Sequence, residues 1–63
     1  MLTREEVQKA VAKTKQMPME EVTPETTLDS NEVVILLFNC PEVGALRGQG
    51  PTPLRILLPQ FFS

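Results

Sequence analysis

Residues 20–38 read EEVTPETTLDSNEVVILLF and end in the longest unbroken apolar run of the chain, Val33 to Phe38. Asp29 and Ser30 precede this run, and either side chain can cap a helix that begins there. The β-branched residues that open the run favour a buried strand instead. Because the cap signals come directly before the run, we predict a helix from Ser30 to about Phe38, with the Ser30 hydroxyl at the surface.

Helical spacing divides the apolar run into two faces. One stripe, predicted to cover the first helix, consists of Val33, Leu36 and Leu37. The remaining apolar residues must then be covered by the C-terminal tail or by a partner; they are Val34, Ile35 and Phe38.

The first helix is predicted at residues 4–16. Thr3 is a favoured N-cap residue, and Glu6 follows at the spacing of a capping box. Val7, Ala10 and Val11 share one face of this helix and need a neighbour to pack against. Pro18 is expected to end the helix, because a proline disfavours helical angles in the residue before it.

The segments between and after the two helices are rich in turn signals. Residues 17–29 are predicted to form a loop with a single turn at Thr23-Pro24. Its predicted apolar anchors are Met17, Met19, Val22 and Leu28. Pro41 should end the second helix, and residues 42–46 have the composition of one further helical turn.

These patterns predict a mainly α fold, a small helical bundle with an irregular or poorly ordered second half. We divide the chain into a small helical domain at residues 1–46, a Gly/Pro linker at 47–53 and an apolar tail at 54–63. The linker is expected to be irregular and mobile. The tail has no clear amphipathic pattern, so it either packs as a short last element or remains exposed.

Composition excludes several classes of site. The chain has 63 residues, no histidine and one cysteine, Cys40, so it can form neither an internal disulfide nor the usual zinc sites. Without histidine it also lacks the common general base, and we predict that it is not an enzyme. Cys40 is expected to be buried and inert, and the carboxylate pairs lack the spacing of a calcium loop.

The charge is distributed unevenly along the chain. Net charge is −2, but residues 17–46 contain six acids and no base. This acidic middle argues against nucleic-acid binding and suits partner proteins with a basic surface. The docking residues we predict are Glu20, Glu21, Glu25, Asp29 and Glu32. No segment is long and apolar enough to cross a membrane, and a lone cysteine favours a reducing, cytoplasmic compartment.

Residues 3–38 resemble the first half of an acyl carrier protein or peptidyl carrier domain. That family opens with a capped helix and continues with a loop of the form Ile/Val-x-Pro-x-x-x-Leu, matched here by Val22 to Leu28. An Asp-Ser pair then opens the family's second helix, as Asp29-Ser30 does here. Asn31 replaces the family's usual leucine, the Asp-Leu-Gly lead-in is missing, and the similarity ends at Phe38.

The resemblance implies a non-catalytic carrier that bears a covalent 4′-phosphopantetheine arm on Ser30, beside Asp29. The arm would hold an acyl or peptidyl group as a thioester. A plain helix cap is the alternative role of Ser30. For the whole chain, the alternatives are a small helical protein–protein interaction module, or a truncated or orphan chain without a settled function.

Overall fold

The computed structural model describes residues 2–44 and 50–62. These residues form four α-helices: α1 (Arg4–Lys15), α2 (Ser30–Asn39), α3 (Leu54–Leu57) and α4 (Pro59–Phe62). Two short strands, β1 (Thr27–Leu28) and β2 (Thr52–Pro53), pair in an antiparallel sheet. Single 3-10 turns lie at Met19–Glu21 and Pro41–Val43. The mainly α fold class is confirmed.

The Thr3 N-cap predicted for α1 is present. The Thr3 hydroxyl accepts a hydrogen bond from the Glu6 backbone N–H at 3.3 Å. Acidic residues occupy the first turn and basic residues the last, where each sign of charge stabilises the helix dipole. The buried face consists of Val7, Val11 and Ala12, with Ala10 only partly buried.

Hydrogen bonds at Gln16 and Met17, and not Pro18, end helix α1. Gln16 adopts left-handed angles, φ 56° and ψ 49°. Its N–H donates to the Lys13 carbonyl at 3.3 Å, and the Met17 N–H donates to the Ala12 carbonyl at 3.0 Å. This pair of bonds is a Schellman motif, which satisfies two carbonyls at the helix end. The helix therefore stops one residue earlier than predicted.

The apolar run forms a helix and not a strand. Asp29 is the N-cap of α2, and its carboxylate accepts from the Glu32 N–H at 2.8 Å. The Glu32 carboxylate in turn accepts from the Asp29 N–H at 3.1 Å, which completes a capping box. The cap is thus Asp29, and Ser30 is the first helical residue, so the plain-cap alternative for Ser30 is wrong.

The loop at residues 17–29 is more structured than predicted. Val22 and Leu28 are buried and the two methionines are partly buried, which confirms all four apolar anchors. A β-turn covers Thr23 to Thr26, closed by a 3.0 Å bond from the Thr26 N–H to the Thr23 carbonyl. The predicted turn is present as a β-turn, and strand β1 follows it within the segment predicted as a loop.

The sheet joins the loop to the segment predicted as a linker. Thr27 is opposite Pro53, and Leu28 is opposite Thr52. Proline is tolerated because both strands of a two-stranded sheet are edges, where one side of each strand needs no partner. The prediction of an irregular segment is therefore wrong for Thr52–Pro53, and its part at residues 47–49 lies outside the described residues.

The C-terminal tail packs into the core of the protein. Leu54, Leu58 and Phe62 are fully buried. They belong to one cluster with the buried residues of α1 and α2, and α4 contacts α1. An irregular second half is thus not observed in residues 50–62. The tail therefore shares the core of the helical domain, since its three large side chains belong to the same buried cluster as Val7 and Val11.

Candidate functional site at the start of α2

The candidate carrier serine lies at an exposed helix terminus. Ser30 is the first residue of α2 and is exposed, as is Asp29 beside it. The reciprocal capping box fixes the backbone on both sides of Ser30. The sequence-predicted pair therefore occupies a rigid, accessible position at the positive end of a helix dipole.

Lys15 connects three elements next to this helix terminus. Its ammonium group lies 2.9 Å from the Glu32 carboxylate and donates a 2.9 Å hydrogen bond to the Thr27 carbonyl. The two charged side chains are about one-quarter exposed, 24% and 26%. Sequence reasoning missed this residue, because charge spacing does not show that the last turn of α1 meets the first turn of α2.

The predicted acidic docking surface is partly neutralised within the chain. Glu20, Glu21, Glu25 and Asp29 are exposed, and Glu32 is half-buried. Glu32 pairs with Lys15, and Glu25 lies 3.1 Å from the guanidinium of Arg55. Two of the five predicted acids thus have a partner in the fold, which leaves less negative charge for a partner protein.

A second surface feature lies on the outer face of α2. Val34 is 65% exposed, Ile35 45% and Phe38 87%. We call these three residues the α2 stripe. They lie opposite Val33 and Leu36, which are buried against the rest of the fold. The tail does not cover the stripe, because its buried residues pack in the core beside α1.

The remaining candidates have structural roles or none. Cys40 is half-buried rather than buried, and its N–H donates to the Leu36 carbonyl at 2.8 Å at the end of α2. Residues 2–44 and 50–62 contain no group of three potential metal ligands. In that same part of the chain, no helix is long and apolar enough to cross a membrane.

A shallow depression of about 300 Å³ lies at the N-terminal end of α1. Its lining residues are Thr3, Glu5, Glu6 and Lys9. Binding sites for small molecules usually have mainly apolar and aromatic walls, which this depression lacks. It also includes none of the predicted site residues.

Comparison with known proteins gives no further assignment: no protein-family model, curated protein sequence or solved structure matches this chain. The resemblance to carrier proteins therefore depends on the residues quoted above.

Proposed function

We propose that this chain is a non-catalytic acyl or peptidyl carrier, modified by 4′-phosphopantetheine on Ser30. The observation that carries the proposal is the position of Ser30, exposed at the first residue of a capped helix. A transferase must reach the hydroxyl from solvent, and a strand at residues 33–38 would have removed the helix terminus from the site.

The surroundings of Ser30 support this role. Backbone N–H groups at a helix N-terminus favour a bound phosphate group. The Lys15 ammonium neutralises the Glu32 carboxylate in the first turn of α2, which reduces the negative charge next to Ser30. Val22 and Leu28 pin both ends of the family-like loop in the core, so the loop presents Asp29 and Ser30 in a fixed position.

In this proposal the chain itself performs no reaction. It presents the thioester-bearing arm to enzymes with basic surfaces, which dock on the exposed acids of the middle segment. The exposed members of that set are Glu20, Glu21, Glu25 and Asp29. The proposal places the protein in a reducing cytoplasmic compartment, supported by its single cysteine, with no role in nucleic-acid binding.

The test is incubation with coenzyme A and a broad-specificity phosphopantetheinyl transferase, followed by mass spectrometry of the intact chain. One added arm is expected, and tandem fragmentation should place it on Ser30. The chain has one other serine, so Ser63→Ala is the matched control and should still gain the arm, whereas Ser30→Ala should not. A wild-type chain that gains no mass would overturn the carrier proposal.

A second candidate function, a small protein–protein interaction module, is favoured by the α2 stripe. Large apolar side chains on one exposed helix face commonly mark a binding surface. This function needs no modification of Ser30. An unmodified chain that binds a partner through Phe38 would support the module, and a partner that requires the arm would support the carrier.

A further inference from the structure

We infer that the α2 stripe docks in an apolar groove of a partner protein that carries basic groups at both ends of the groove. The inference develops the interaction-module function and does not depend on modification of Ser30. It specifies the chemistry of the partner from the spacing, area and charge of the exposed face of α2.

The spacing of the exposed face fits helix-in-groove recognition. Asn31, Val34, Ile35 and Phe38 follow one another at i, i+3, i+4 and i+7, the anchor positions of a helix held in a hydrophobic groove. Phe38 is the most exposed of the three apolar side chains, at 87%. Aromatic anchors of this kind contribute strongly when a pocket encloses them.

The area of the stripe argues against a second copy of the chain. The three side chains expose on the order of 300 Å² of apolar surface, taking about 200 Å² for a whole aromatic residue. A stable interface takes about 800 Å² from each partner. Two helices meeting at the stripe alone fall short of this area, whereas a groove can also cover the flanks of α2.

The charges at the ends of α2 also argue against a second copy of the chain as the partner. Asp29 lies at the N-terminal end, and Glu42 lies in the 3-10 turn that follows Asn39; both are exposed. Neither has an ion pair within the described residues. In an antiparallel pair of copies, Asp29 of one would face Glu42 of the other. In a parallel pair, each acid would face the same acid of the other copy, so like charges repel in both orientations. Basic groups roughly 15–20 Å apart complement both acids, since ten helical residues span about 15 Å.

The test uses two designed helical hairpins as probes. Both present the same leucine-lined groove, one with lysines and the other with glutamates at the two ends. Each is titrated into the unmodified ¹⁵N-labelled chain, and amide shifts are followed by NMR. The lysine probe is expected to shift residues 31–42 selectively and to bind at least 10-fold more tightly than the glutamate probe.

Matched variants distinguish specific binding through the α2 stripe from non-specific binding by exposed apolar residues. Phe38→Ser should weaken binding of the lysine probe at least 10-fold, whereas Ile56→Ser, at a 58% exposed apolar residue on α3, should not. Asp29→Asn with Glu42→Gln removes both charges while an N-cap side chain is kept, and should weaken binding at least 3-fold. Equal losses in the Phe38 and Ile56 variants would overturn the inference.

The remaining outcomes are also decisive. A Phe38-dependent dimer in sedimentation, without probe binding, would overturn the partner chemistry while leaving a docking role for the stripe. Equal binding of both probes would overturn the requirement for basic ends. No binding and no dimer up to 1 mM would overturn both the inference and the interaction-module function, with no consequence for the carrier proposal.

Discussion

Single residues decide where α1 ends and how it meets α2. Gln16 occupies the left-handed position of the Schellman motif, which favours glycine because a Cβ atom is strained at positive φ. Lys15, its neighbour, bridges to Thr27 and Glu32 in two other elements. A residue at positive φ and a side chain that links three elements are thus neighbours at the end of α1.

Replacing Gln16 with glycine should raise the free energy of unfolding by about 0.5–1 kcal/mol, because glycine adopts left-handed angles without steric strain. Urea denaturation of the two proteins measures the difference. Lys13→Gly is the matched control within the helix and should lower stability by about 1 kcal/mol. A loss of stability in the Gln16 variant would contradict the assigned backbone conformation.

Removing the Lys15 ammonium by substitution with methionine should lower stability by about 1 kcal/mol, since the change breaks a partly buried ion pair and a hydrogen bond. A double-mutant cycle with Glu32→Gln should give a coupling energy of roughly 0.5 kcal/mol that falls at high salt. The exposed Lys13→Met variant is the control and should change stability little.

At the scale of elements, formation of α2 depends more on its N-terminal cap than on the helix propensity of its residues. Consecutive β-branched residues disfavour a helix slightly, and an isolated helix of ten residues is marginal in water. The reciprocal bonds between Asp29 and Glu32 supply the helix start, and burial of Val33 and Leu36 supplies the packing. Together they outweigh the local preference for an extended chain.

The capping box predicts a difference between two substitutions at one position. Asp29→Ala should lower stability by about 1 kcal/mol, because the Glu32 N–H loses its acceptor. Asp29→Asn keeps an acceptor oxygen and should lower the free energy of unfolding by only about a few tenths of a kcal/mol. Thermal unfolding followed by circular dichroism checks both, and equal losses would show that charge rather than capping is responsible.

At the scale of the whole molecule, stability depends on contacts between the two ends of the chain. A 63-residue chain buries a smaller fraction of its surface on folding than a larger domain does, so each large buried side chain matters. Phe62 is fully buried, and the Arg4 guanidinium lies 5.4 Å from the centre of its ring. The last turn of the chain thus closes the core over the start of α1.

Replacing Phe62 with alanine should lower the free energy of unfolding by roughly 3–5 kcal/mol, because the substitution leaves a cavity in the core. That loss is comparable with the whole stability of a domain of this size, roughly 3–9 kcal/mol. We expect a largely unfolded variant by circular dichroism and NMR. Phe38→Ala is the control: this aromatic is 87% exposed, and its removal should change stability by less than about 0.5 kcal/mol.

The sequence by itself determined the helix starts and the loop anchors. Thr3 and Asp29 form hydrogen bonds three residues along the chain, so their roles depend on local spacing alone. Helical periodicity also separated the buried Val33 and Leu36 from the outward face of α2. The Asp29-Ser30 pair was found in the same way, because its position before an apolar run is a local pattern.

Only the tertiary structure decided the rest. Pairing of Thr27–Leu28 with Thr52–Pro53 joins segments about 25 residues apart, and no local signal specifies such a register. The tail has no helical periodicity, yet it folds into the core because apolar surface is buried wherever the other elements leave space. Because the tail packs in the core, it does not cover the α2 stripe, and Phe38 remains exposed to solvent.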